Sequence, residues 1–156
     1  MLLTLGDFRS RVRSQINELI IELQESTGRY GEDEARAWHA SLPKLARALP
    51  AEGLGNAHLY FAGTGQLAVE YQLPASAAWC DAVLLGGSDS GPAAVVIELK
   101  DWLVRGDRPG AAEGLVERHT GIALHPSEQV RGYVGYCQRF HSAVQDYVAS
   151  VDGCVL

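Results

Sequence analysis

The sequence predicts an α/β sandwich in the order helix, three strands, helix, strand, and three observations carry that expectation. The first third of the chain repeats apolar residues at helical spacing. After Asn56 it changes to runs rich in Val, Ile and Leu, separated by short turns of small or polar residues. A last helical stripe then leads into an apolar run over 151–156. At 156 residues, 47% of them hydrophobic and 21% charged, the chain has the length of about one domain with its own core.

Taken in order, Leu5, Phe8, Val12, Ile16, Leu19 and Leu23 predict one amphipathic helix over 5–27, stopped by Gly28. A second helical stretch starts near Glu32 and buries Trp38, and Pro43 is expected to break or restart it before Pro50. These helices form an extension over 1–50, ahead of an αβ core over 56–156. In that core 58–62, 66–73, 79–85 and 93–99 favour extended structure, with turns at 74–77 and 86–92. Residues 105–124 carry Gly and Pro and resist assignment, although 121–124 suits a short strand. Pro126 fits the first turn of a third helix, whose stripe is Val130, Val134, Cys137, Val144 and Val148. Tyr136 and Phe140 read as core, and Trp102 as packing at a strand end. The apolar run at the end of the chain suggests a fragment of a longer protein.

Bulk properties narrow the function classes. No apolar run is long enough to cross a membrane, and no export signal opens the chain, so a cytoplasmic protein without membrane partners is expected. Cys80, Cys137 and Cys154 have no CxxC pair, which speaks against a disulfide framework or structural zinc. His119, His125 and His141 are too scattered to ligate a metal, and His125-Pro126 suits a helix entrance. No Gly-Lys-Ser/Thr follows the glycine-rich stretches, so ATP binding is not expected. A net charge of −6 sits poorly with duplex binding unless bound cations neutralise some carboxylates.

The chemistry concentrates where two turns align. Glu70 and Asp81 are equidistant from a turn centred between residues 75 and 76. Asp81 and Glu98 are equidistant from one centred between residues 89 and 90. Directly opposed residues share a sheet face with Cβ atoms roughly 5 Å apart, and Lys100 falls two positions after Glu98. Three adjacent carboxylates beside a lysine suit either a solvated sheet end or a divalent cation. Gln129 and Tyr133, four residues apart, share a helix face.

Asp81, then Glu98-Leu99-Lys100, then Gln129-Val130-Arg131-Gly132-Tyr133 resembles the PD-(D/E)XK nuclease superfamily, and the Gln-x-x-x-Tyr helix motif resembles its RecB-like branch. Longer strings, at 70–74, 80–86, 97–102 and 125–129, are similar to the N-terminal domain of a group of bacterial proteins. In that group a nuclease-like domain precedes a P-loop helicase or ATPase domain related to the Schlafen group. The resemblance spans about residues 66–156. It implies a restriction-endonuclease-like αβββαβ core with a mixed central sheet, binding Mg²⁺ or Mn²⁺ and acting on nucleic acid, DNA more than RNA. Asp81 and Glu98 would be metal ligands and Lys100 the catalytic lysine, with Gln129 and Tyr133 orienting that lysine or touching substrate. Glu70 would be a third ligand, with Glu34 as its fallback, because the first acidic motif of the superfamily often lies on a helix. Trp79 stands where the family often has Arg. Two functions are carried forward: a metal-dependent nuclease preceding a motor domain, and a catalytically silent module that docks nucleic acid or protein for a P-loop motor.

Overall fold

The computed structural model describes residues 2–49, 53–54, 56–60, 71–72, 79–100, 102 and 106–156. A strand not expected from the sequence, β1 (Leu2–Thr4), opens the chain and runs into α1 (Leu5–Ser14). Thr4 caps that helix, its hydroxyl accepting from the Asp7 amide at 3.0 Å.

The single helix expected over 5–27 is two. Gln15, at φ −144° and ψ 39°, separates α1 from α2 (Ile16–Thr27). The break lets Arg11 fork onto Glu22 with contacts of 2.7 and 3.0 Å. Eleven residues apart on a straight helix, the two would stand about 16 Å apart along the axis. Gly28 ends α2 at φ 70°, as expected. Pro43 does not break the next helix, α3 (Glu32–Ala48). Trp38, Leu42 and Leu45 on its buried face pack with Leu5, Phe8, Leu19 and Leu23. That packing outweighs the missing N–H.

The central sheet is mixed and five-stranded, with β2 (His58–Tyr60), β5 (Ala82–Ser88), β6 (Gly91–Glu98) and β10 (Ser150–Val155) following β1 in that order. The strands therefore line up in chain order, and β10 runs parallel to β6 while the other pairings are antiparallel. Side-chain alternation along β6 divides two cores. Ile97 joins Leu59 and Ala82 under α1–α3, whereas Val96 joins Cys80 and Val151 under α4 (Pro126–Phe140). Phe8, Leu19, Leu45 and Leu59 are fully buried, each contributing roughly 1.5–3 kcal/mol.

Other expectations are corrected around this sheet. The strand foreseen over 79–85 is interrupted at Asp81, leaving β4 (Trp79–Cys80) to pair with β3 (Tyr71–Gln72) in a separate ribbon. The unassigned stretch becomes a three-stranded sheet of β7 (Arg108–Pro109), β8 (Leu115–Arg118) and β9 (Gly121–Leu124), the last as expected. Trp102 lies under the Arg118 guanidinium, 4.0 Å from its ring centroid. The third helix stops at Phe140. Val144 lies on a short α5 (Ser142–Asp146), and Val148 lies outside it, 86% exposed with φ 51°. His125 and Pro126 do form the entrance of α4, His125 Nδ1 accepting from the Ser127 amide at 3.2 Å.

Candidate active site

The two registers follow the turn arithmetic. Tyr71 pairs with Cys80 across the first turn and Ala82 with Ile97 across the second. The second ladder ends one step short of Asp81 and Glu98. At that step Asp81 occupies a bend, and its Oδ2 accepts the Leu99 amide proton at 2.7 Å. The carboxylate thus replaces the ladder partner that β5 no longer offers. On the other flank the Leu156 amide donates to the Glu98 carbonyl at 2.9 Å, and the Lys100 amide donates to the Leu156 carbonyl at 2.8 Å. The end of β6 is held from both sides.

Alternation places Val96, Glu98 and Lys100 on the α4 side of the sheet. Glu98 is 2% exposed, a charged side chain among buried apolar ones. Lys100 Nζ lies 2.5 Å from its Oε1, with the lysine side chain itself 25% exposed. Lys100 is therefore not the exposed strand-end residue that its position suggests. Across the gap, Gln129 Nε2 donates to the Tyr133 hydroxyl at 2.6 Å. That is the helix-face pairing expected from their spacing.

The electrostatics are those of a crowded, poorly solvated acid pair. Burial raises the Glu98 carboxyl above its ordinary value and Asp81 raises it further, against the hydrogen bond and charge of Lys100. Burial also raises Asp81, opposed by the Leu99 amide, Lys100 and Arg29. The Tyr133 phenol is raised, first by burial, and the charges of Glu98 and Asp81 add to this against the Gln129 hydrogen bond. Cys80, fully buried beside them, has its thiol pushed up to about 12, chiefly by burial.

Of the sequence-predicted residues, Asp81, Glu98 and Lys100 come together, and Tyr133 with its partner Gln129 adjoins them. Glu70 lies outside the described residues. Glu34, its fallback, sits in the first turn of α3 and pairs with Arg29 at 3.4 Å. Arg29 was missed by sequence reasoning, and its charge acts on Asp81 from the loop between α2 and α3. Nothing in its local sequence separates it from the other arginines; only the return of that loop to the sheet end does.

Among the described residues no three His, Cys, Asp or Glu side chains gather as a metal cage. The fit of a divalent cation turns on Glu98 Oε2, which is buried and has no hydrogen-bond partner among the described residues. An acceptor stranded this way costs about 1–3 kcal/mol. Two neighbouring carboxylates with raised pKa values, one oxygen of them unsatisfied, form a donor set that suits Mg²⁺ or Mn²⁺ completed by water. Compared with protein-family models, with curated proteins and with solved structures, the chain matches none.

Proposed function

We propose that this site is that of a metal-dependent phosphodiesterase. More particularly, we read the chain as a nuclease domain of the PD-(D/E)XK type, RecB-like branch, acting on nucleic acid with DNA favoured over RNA. The observation that carries the reading is the pairing of Lys100 with a buried Glu98 whose second oxygen is unsatisfied, beside Asp81. Packing alone does not call for such a set, since replacing a buried ion pair by apolar side chains is often neutral or stabilising. The chain-order sheet, with three helices between its first two strands and a helical crossover into a parallel last strand, supports the restriction-endonuclease-like core that the resemblance implies.

Asp81 and Glu98 would hold the cation. When bound it supplies Lewis-acid polarisation of a phosphate oxygen and lowers the pKa of a water. Lys100, held on Glu98, presents an ammonium group where negative charge grows on the phosphate in the transition state. Tyr133 and Gln129 wall the α4 side and limit the rotamers open to that lysine. Arg29 brings a second positive charge near Asp81, of the kind the Trp79 position lacks.

A second reading is favoured by two observations: Lys100 is already engaged by Glu98, and the net charge is −6. On that reading the acid–lysine set is a structural relic in a docking module. Cleavage of single- and double-stranded substrates, with Mn²⁺ and with chelator, separates the two. Wild type is expected to cleave only with metal, and Lys100→Gln, which keeps a donor for Glu98 but no charge, is expected to lose roughly 100-fold or more. Equal rates for the two proteins would sink the catalytic assignment. Absence of both cleavage and Mn²⁺ binding by calorimetry would favour the docking module.

A further inference from the structure

Phe140 overturns its sequence expectation. It is 70% exposed, with its ring 5.4 Å from that of Tyr136 at an angle of 44°. Gln129, Tyr133, Tyr136 and Phe140 follow helical spacing along one side of α4. They form a stripe that begins beside the acid–lysine site at Gln129 and emerges into solvent at Phe140, about 16 Å further along the axis. The same helix carries an open hollow of about 650 Å³ on its flank, a groove lined by Glu128, Arg131, Arg139 and the Tyr136 and Phe140 rings, with Gly132 and Gly135 between them. Among the described residues a Cβ on either glycine would meet nothing within 4 Å, so no packing among them calls for a glycine. Each costs the helix about 1 kcal/mol relative to Ala. The two arginines are exposed; Arg131 is balanced by Glu128 at 2.9 Å, and among the described residues Arg139 has no acidic partner.

We infer that this groove binds single-stranded nucleic acid and guides it toward the acid–lysine site, an inference that rests on the phosphodiesterase reading. The exposed Phe140 ring, backed by the half-buried Tyr136, stacks on a base face, which only unpaired bases offer. The arginines complement phosphate charge on a chain that is otherwise acidic. The bare glycines let a sugar–phosphate backbone approach the helix closely. A duplex presents no free base faces to that ring.

Fluorescence anisotropy tests this on the whole chain with chelator present, using labelled oligo-dT, oligo-rU and a duplex at low salt. Oligo-dT or oligo-rU is expected to bind more tightly than the duplex, and the comparison between them assigns the sugar preference. Phe140→Ala and Arg139→Ala should each weaken single-strand binding, on the order of 10-fold. Gly132→Leu is the discriminating variant: it should raise the thermal midpoint yet weaken binding, whereas a merely structural glycine would give the first effect without the second. Unchanged affinity in all three variants, preference for the duplex, or no oligonucleotide binding at low salt would overturn the inference; the last outcome would point to a protein partner. Manganese-dependent hydrolysis of bis(p-nitrophenyl) phosphate, too small to need the groove, reads the phosphodiesterase site separately. Hydrolysis without oligonucleotide binding removes the groove and keeps the site. Binding that is sensitive to Phe140 without hydrolysis does the reverse.

Discussion

Glu98 is costly to the fold, and on the phosphodiesterase reading that same side chain serves the chemistry. Its burial is tolerated because Lys100 reaches Oε1, while Oε2 is left with no partner among the described residues. Removing the lysine would strand the whole carboxylate, so Lys100→Ala should lose stability, by about 1–3 kcal/mol in urea unfolding, as well as activity. That is why Lys100→Gln is the cleaner probe. The pH dependence follows from the direction of the shifts. Both Glu98 and Asp81 have folded pKa values raised above the unfolded ones. The folded chain therefore holds these protons more tightly than the unfolded chain does. Their contribution to stability is fully present below the ordinary carboxylate range near 4 and is lost as pH rises through the raised values. In chelator, the urea midpoint of wild type is expected to fall relative to that of Glu98→Gln as pH increases from about 4 to about 7. Millimolar Mn²⁺ should reverse the loss, because the cation favours the ionised pair. Parallel pH curves for the two proteins would show that Glu98 does not titrate in a buried setting.

At the scale of elements, the seating of α4 on β10 places Tyr133 and Gln129 against the end of β6. Gly153 makes that seating possible. A Cβ there would fall 2.2 Å from Val130 Cγ1 and 2.8 Å from Val134 Cγ2, and both are branched side chains with little freedom to move aside. Gly153→Ala is expected to lift the helix and cost about 1–3 kcal/mol. On the phosphodiesterase reading its cleavage rate should drop more than its metal affinity, since Asp81 and Glu98 stay at the sheet end while Tyr133 moves with the helix. Urea unfolding with Mn²⁺ calorimetry on the same protein checks both halves. A stable variant with full activity would mean that the helix tolerates displacement. The contrast with Gly132 and Gly135 is physical: one glycine admits a helix, whereas the other two meet nothing among the described residues.

For the whole molecule, the net charge of −6 limits how the proposed nucleic-acid ligand would be held. Two groove arginines would release few counterions from a single strand. The logarithm of affinity should then fall against the logarithm of salt with a slope of about −1 to −2. Anisotropy titrations over a salt series measure it. A slope several times steeper would require a cationic surface beyond the two arginines of this groove. No helix among the described residues is long and apolar enough to cross a membrane.

Legibility from sequence divides along local and non-local physics. Turn positions, strand runs and helix stripes are local, so the register that brings Asp81 level with Glu98 could be counted from the residues at 89 and 90 alone, and Gly28 could be read as a helix stop. The 3.6-residue period likewise paired Gln129 with Tyr133 before any fold was known. What the sequence by itself determined, then, was the mixed α/β class and the gathering of acids and lysine at one sheet end. The tertiary structure decided the rest. The break at Gln15 is set by two helices turning their apolar faces to a shared core, and the continuity through Pro43 by burial of Trp38 and Leu42. The bend at Asp81 exchanges a backbone ladder partner for a side-chain one. Arg29 acts at the site, and Phe140 leaves the core, for reasons of loop return and helix seating that no residue signals to its sequence neighbours.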